Sequence, residues 1–451
     1  MNTNDDRGFY KKLASIVIPV AFQQFMLASV SAADAIMLGK LSQNSMAAVS
    51  LAGQVQFIFN LFLAGSSIGT SMLVAQYIGK GDQDAVERIL GIVLRVTVPI
   101  ATTFTLAALI IPKVIMGIFT SDADLIVYGA QYLRCVSLSY FFCGITQIYL
   151  VIMKNSGHAA KNALISSSSV VLNICLNAIF IFGLFGCPKL GIAGAALSTV
   201  IARFVEMSLA LSDMRKDGRI KIRPSYFLHR DMELRKDFWK YATPAFLNQI
   251  LWGLAFSSES VIMGHMNPDA VAANSIALIV KNLTACFCLG FGNGAGIILG
   301  NTLGSGDLER GKRYGDRFIK IAVANGLVTG GFVLLISPLI VKFANLTPQA
   351  SHYLRWMLVM CSYYQFGKSL TCTTNGGVFP SGGDSKFTFK CDTITMWGFI
   401  VPVGFFVAFV LKLPVLVIYF FMTLDETIKL PAIFLHYRKY GWVRNITKDR
   451  T

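Results

Sequence analysis

The chain has 451 residues, of which 54% are hydrophobic and only 14% charged, and its formal net charge is +16. A soluble protein of this length would hold two or three domains under a much more polar surface, so composition excludes that class and points to repeated apolar spans. The positive charge does not point to nucleic acid either, because the basic residues are sorted by loop and not gathered in one patch.

Taken in order, residues 1–12 form a polar leader with no cleavable signal, and apolar runs predict helices over 13–39, 46–76, 88–111, 124–152, 161–183 and 190–212. Residues 213–240 are the longest and most basic polar stretch, from which 213–237 is assigned as a cytoplasmic linker. Six further runs predict helices over 238–264, 270–300, 314–341, 349–376, 386–411 and 413–437. The expected fold class is an all-α membrane protein, with twelve transmembrane helices in two pseudo-symmetric six-helix lobes, 1–212 and 238–451. Alternate connections and the two ends hold 28 Lys or Arg, against five in the opposite set (Lys40, Lys113, Lys189, Lys342 and Lys412). That bias places both termini in the cytoplasm of a cell whose plasma (inner) membrane the chain crosses many times.

The two halves are related by duplication. A shift of 225 residues lays Pro19 on Pro244, Gln24 on Gln249, Asp34 on Glu259, Gly39 on Gly264 and the turn Gly79, Gly81, Asp82 on Gly304, Gly306, Asp307. Only 15 of 70 positions are identical over 19–88, but seven of the matches are Pro, Gly or Asp, which apolar composition alone does not supply. Six spans per half give both halves the same orientation, as in parallel repeats.

Each half therefore opens with a helix that hides a carboxylate. A carboxylate in hydrocarbon costs about 2.5–3.5 kcal/mol or more, and survives by facing protein or water. Asp34 has no basic residue within helical reach, so its partner is on another helix or is a transported ion. Gln23 shares its face three turns earlier. On the fifth helix Asn173 and Asn177 project together, suited to coordinating a cation, to bonding a carboxyl or to holding two helices together. With Thr199 they complete the expected coupling set around Asp34. In the second half Glu259, Asn248 and Gln249 are the counterparts, and Lys368 and Asn375 line one side of the tenth helix. Lys368 needs a buried anion, for which Glu259 is the candidate. The pairs Arg203/Glu206 and Asp425/Lys429 read as local neutralisation near helix ends and are left out of the site, as are Arg134 and Arg355.

No phosphate-binding loop, catalytic constellation or metal-ligand cysteine spacing is present, so neither an enzyme nor a cofactor is expected. GFGNGAG (290–296) lies in an apolar run with no preceding strand and is no dinucleotide loop.

The motifs PVAFQQ (19–24), ADAIMLGKL (33–41), AQYIGKGD (75–82), PKLGIAGAALSTVIAR (188–203), VIMGHMNPDAVAANS (261–275), LGNTLGSGD (299–307) and SGGDSKF (381–387) together resemble the multidrug and toxic-compound extrusion (MATE) transporters, in particular their DinF-like branch. The resemblance implies a secondary antiporter working by alternating access. It would export small amphipathic, often cationic compounds in exchange for H⁺ or Na⁺, as a monomer in the bilayer and without nucleic acid. It also implies that Asp34 is the coupling carboxylate, and the place where a Na⁺ would bind. The family's fifth-helix pair is an Asn followed four residues later by an Asp; Asn173 matches, while Asn177 stands where the second carboxylate would be. The alternative within the same superfamily is a flippase for lipid-linked oligosaccharides. It would need several Arg in helices 1, 2, 7 and 8, where this sequence has none in the first two and only Lys281 in the eighth.

Overall fold

The computed structural model describes residues 3–217, 231–344 and 346–448, and every regular element among them is helical. The first half contains α1 (Thr3–Gly39), α2 (Gln43–Lys80), α3 (Gln83–Ile110), a short α4 (Pro112–Phe119), α5 (Ala123–Asn155), α6 (Ala159–Phe182) and α7 (Ile192–Asp217). The second half contains α8 (Met232–Gly264), α9 (Pro268–Gly304), α10 (Leu308–Phe343), α11 (Pro348–Thr373) and α12 (Ser385–Thr395), the last continued by further turns to Val410. It closes with three short pieces, α13 (Val415–Met422), α14 (Asp425–Ile428) and α15 (Leu430–Arg438). Counting α13–α15 as one pass and α4 as a cap on α3, the described residues make twelve passes in two sets of six. Among the described residues nine helices are long and apolar enough to cross a membrane. The other three passes are α8, α11 and α13–α15, which carry Asn248, Glu259, Lys368, Glu426 and Lys429.

The departures from the expected boundaries have local causes. α1 runs back into the supposed leader because Phe9 is buried, its ring 4.6 Å from that of Tyr314 and 5.3 Å from that of Phe318. Pro112 opens α4 at a position where its missing N–H is harmless, and thereby ends α3. Two π turns, Thr374–Val378 and Met396–Ile400, precede Pro380 and Pro402. A helical proline crowds the carbonyl four residues back, here Gly376 and Gly398, and widening the turn relieves that clash. Of the expected linker, 213–217 extends α7 and 232–237 belongs to α8, while 218–230 lies outside the described residues.

The repeat is visible in the turns. Gly81 (φ 82°) precedes Asp82, whose carboxylate accepts from Ala85 N at 3.0 Å; Gly306 (φ 88°) precedes Asp307, which accepts from Arg310 N at 3.0 Å. Glycine takes that left-handed backbone without strain, and the aspartate caps the helix that follows. Asp82→Ala and Asp307→Ala are each expected to lower stability by about 1 kcal/mol, read as matched drops in unfolding temperature of the solubilised protein.

The chain divides into two compact units. One takes α1 up to Ala21, the end of α2 (Ser71–Gly81) and the chain from Lys240 onward; the other takes Phe22–Thr70 and the chain from Asp82 to Trp239. α1 and α2 thus each contribute to both, which differs from a cut at the linker. The second unit is built on Phe59, whose ring lies 5.1 Å from Phe104 and 5.3 Å from Tyr140, with α3 and α5 in close approach where Gly144 meets Ala101. The first has a core of Leu354, Met357 and Cys361 on α11 against Ile418 and Met422 on α13 and Ile262 on α8.

Candidate functional site

Two polar clusters stand out, one in each compact unit. In the first, α1, α6 and α7 place their polar residues on one line. Asn177 Nδ2 donates to Asp34 Oδ1 at 2.5 Å and also to Asn173 Oδ1 at 3.2 Å. Asn173 Nδ2 donates to Thr199 Oγ1 at 3.2 Å, and Thr199 Oγ1 donates to the Ala195 carbonyl at 3.1 Å. Tyr132 on α5 faces Thr199 and Asp34. Asn173 and Asn177 are buried, Asp34 and Thr199 half-buried. Among the described residues no cation pairs with Asp34, so a carboxylate sits among neutral amides and a hydroxyl. The Oδ1 of Asn177 is buried without a hydrogen-bond partner, which leaves an acceptor beside the carboxyl. An Asn177→Ala substitution leaves the carboxyl without its donor and is expected to cost about 1–3 kcal/mol in unfolding free energy.

Gln23 is not part of this line. Its Nε2 donates to Ser166 Oγ at 2.9 Å and its Oε1 accepts from Asn162 Nδ2 at 3.1 Å. Eleven residues separate it from Asp34, about 16 Å along the helix at ~1.5 Å per residue, so the shared face does not bring the two groups together.

The second cluster joins α8, α11, α12, α14 and the N-terminus of α15. Lys368 Nζ lies 2.8 Å from Glu426 Oε1, and Lys429 Nζ lies 2.9 Å from Glu426 Oε2 and 3.1 Å from Asp392 Oδ1. Thr371 Oγ1 donates to Glu426 Oε2 at 2.5 Å. Asn375 Nδ2 and Asn248 Nδ2 donate to the two oxygens of Asp392 at 3.3 and 3.0 Å. Gly367 permits the approach, since a Cβ there would meet Glu426 Cβ at 3.0 Å. Asn248, Asn375 and Lys368 therefore do converge, while Gln249 takes no part in these bonds.

Two expectations need correction. Lys368 does not pair with Glu259, because Glu426 is nearer; Glu259 lies beside Asp425 and Lys281 within electrostatic range of that pair. Asp425 and Lys429 are not a local helix-end pair: the chain breaks at Thr423–Leu424 and again at Lys429, and the resulting short α14 turns Glu426 and Lys429 toward α11 and α12. Asp392 and Glu426 are the residues that sequence reasoning missed. The signal was Asp-Glu-x-x-Lys in a segment otherwise apolar on both sides, with a second acid in the preceding helix. Glu259 Oε1 and Asp425 Oδ1 are both buried with no hydrogen-bond partner. Four carboxylates (Glu259, Asp392, Asp425, Glu426) face three ammonium groups (Lys281, Lys368, Lys429), and Lys281 Nζ sits 3.7 Å from the ring centre of Tyr364.

The opening helices of the two halves engage their partners alike. Gln23 on α1 reaches Ser166 on α6, and Asn248, its repeat counterpart on α8, reaches Asp392 on α12.

The chain is similar over its length to several transporters. It is 26% identical over 422 residues to the probable multidrug resistance protein NorM of Rhizobium meliloti, covering 89% of this chain and 86% of the relative. It is 21% identical over 437 residues to the uncharacterized transporter YisQ of Bacillus subtilis, covering 96% and 95%. Its fold matches a crystal structure of the Vibrio cholerae MATE transporter VcmN in the bent form, with a TM-score of 0.85 at 17% identity, covering 96% of this chain and 97% of that one. The MatE family model matches residues 19–179 and again 244–406, one copy in each half. With the duplicated helical architecture and this match across both repeats, the chain belongs to the MatE family of multi-pass membrane transporters.

Proposed function

We propose that the protein is a secondary antiporter that exports small amphipathic cations in exchange for H⁺ or Na⁺, with Asp34 as the group that binds the coupling ion. The observation that carries this reading is the Asp34–Asn177–Asn173–Thr199 line: a carboxylate inside a transporter, bonded to neutral groups only. A carboxylate that served structure alone would be expected to hold a basic partner, as Glu426 does. Proton or Na⁺ binding neutralises Asp34 and lets the α1 face repack against α6, and that change alternates access to the bound compound. Asn177, Asn173 and Thr199 supply oxygens for a cation or bonds to a protonated carboxyl.

The second cluster supports a cationic substrate. It carries one more carboxylate than ammonium, and two of its lysines are already taken by Glu426 and Asp392. A flippase would need free basic groups for a pyrophosphate, and the second cluster offers none at Lys368 or Lys429. The distribution of Lys and Arg supports a plasma-membrane protein with both ends in the cytoplasm, and each compact unit's own core supports function as a monomer. The test is efflux of a fluorescent cationic dye from proteoliposomes under an imposed pH gradient and, separately, an imposed Na⁺ gradient. Export driven by one of the two is expected; identical dye movement with neither gradient refutes the coupling.

A further inference from the structure

At one end of the unit that contains the second half, the last turns of α2 cross those of α9 in a reciprocal contact. A Cβ on Gly79 would lie 2.0 Å from the Asn301 carbonyl oxygen, and a Cβ on Gly304 would lie 2.0 Å from that of Gln76. Gly300 meets Ala75 Cβ at 2.5 Å in the same sense. The repeat pairs Ala75 with Gly300, Gln76 with Asn301 and Gly79 with Gly304, so the crossing is a self-complementary contact between equivalent positions. Only glycine allows backbones this close.

One asymmetric element is laid over this crossing. After α15 the chain turns at Tyr440 (φ 50°) and runs through 442–448 without regular structure. Trp442 is fully buried, stacks on Tyr437 and lies against Gly315 and Gly382. Arg444 Nε donates to the Gly382 carbonyl at 2.6 Å, and Asn445 Nδ2 to the Gly304 carbonyl at 3.3 Å. The α2 side is held by Gln76, which is fully buried: its Oε1 accepts from Ile446 N at 2.8 Å, and its Nε2 donates to the carbonyls of Ser381 at 2.6 Å and Arg444 at 3.1 Å. Lys80 Nζ donates to the Lys448 carbonyl at 2.6 Å. The equivalent of Gln76, Asn301, has its Oδ1 buried with no hydrogen-bond partner. The strap therefore engages the two sides of an otherwise symmetric contact unequally, holding α2 through Gln76 and Lys80 and α9 through the Gly304 carbonyl.

We propose that residues 442–448 are a strap that holds the ends of α2 and α9 crossed, and that its release from Gln76 and Lys80 is an obligatory step of the transport cycle. The proposal rests on the alternating-access reading above. α2 belongs to the other compact unit up to Thr70, so a motion that carries α2 with that unit must pull Ser71–Gly81 off α9 and break the bonds to the strap. The basic residues place this end in the cytoplasm, so the step is the one that admits a compound from the cell.

The test uses Lys80→Cys with Lys448→Cys, in a background where the exposed Cys135 and Cys175 are serine. The pair is joined by a short bis-maleimide whose spacer contains a disulfide. Cross-linking is expected to stop dye export, and reduction of the spacer to restore it. Export by the cross-linked protein at the rate of the same variant before cross-linking would overturn the proposal. Hydrogen exchange of the unmodified protein gives a readout that needs no variant: the amide of Ile446 should exchange faster during turnover than at rest, and equal exchange in the two conditions also overturns it. Failure of the antiport reading looks different, since then the unmodified protein exports nothing under either gradient.

Discussion

Asp34→Asn is expected to reduce gradient-driven efflux to the level of protein-free vesicles while leaving the fold intact. The amide keeps an oxygen where Asp34 Oδ1 accepts from Asn177 Nδ2, so the loss is that of exchanging a charge-assisted bond for a neutral one, about 1 kcal/mol. What disappears is the negative charge, and with it the capacity to bind a proton or a cation. The variant should therefore reach the membrane in normal amount and still bind a cationic dye at equilibrium, yet show no response to a gradient of either ion. Full efflux by this variant would remove Asp34 from the mechanism.

Glu426→Gln should produce the largest loss of stability of any single change in the second cluster. Glu426 is 2% exposed and receives Lys368 on one oxygen and Lys429 and Thr371 on the other. Neutralising it leaves the Lys368 ammonium buried without an anion in contact, whereas Lys429 keeps Asp392. Breaking a buried pair in this way costs roughly 3–5 kcal/mol. Replacing Lys368 by Met in the same chain removes the stranded charge and should recover a large part of that loss. A double-mutant cycle of unfolding temperatures separates the pair from its surroundings. A single variant as stable as the unmodified protein would mean that solvent reaches Lys368 freely and that the cluster is not a buried ion-pair network.

Much of this arrangement was legible in the sequence because the informative residues obey short rules. Spans follow from runs of apolar residues, and the duplication follows from Pro, Gly and acid positions that recur at one interval. The capped turns at Asp82 and Asp307 repeat down to the sign of a glycine φ. The line at Asp34 was legible for the same reason: Asn173 and Asn177 share a helical face, and a lone intramembrane carboxylate must meet something polar. Gln23 shows where that reasoning stops, since residues on one face can be several turns apart and serve different neighbours. The second cluster was hidden for another reason. Asp425 and Lys429 have the spacing of a local helical pair, and only the breaks on either side of α14 turn this segment across to Lys368 and Asp392. Such breaks depend on tertiary packing and on Pro431, which opens α15, and not on the spacing itself. The strap at 442–448 carries no periodicity at all, and its partners lie some 370 positions away on α2.

The most direct measurement of the central claim is ion movement driven by substrate. In proteoliposomes with no imposed ion gradient, a gradient of a cationic dye should drive H⁺ or Na⁺ in the opposite direction, followed by an internal pH indicator and by radioactive sodium. Counter-movement of one ion, abolished by Asp34→Asn, is the predicted result. Dye crossing the membrane through the protein while neither ion moves would contradict it.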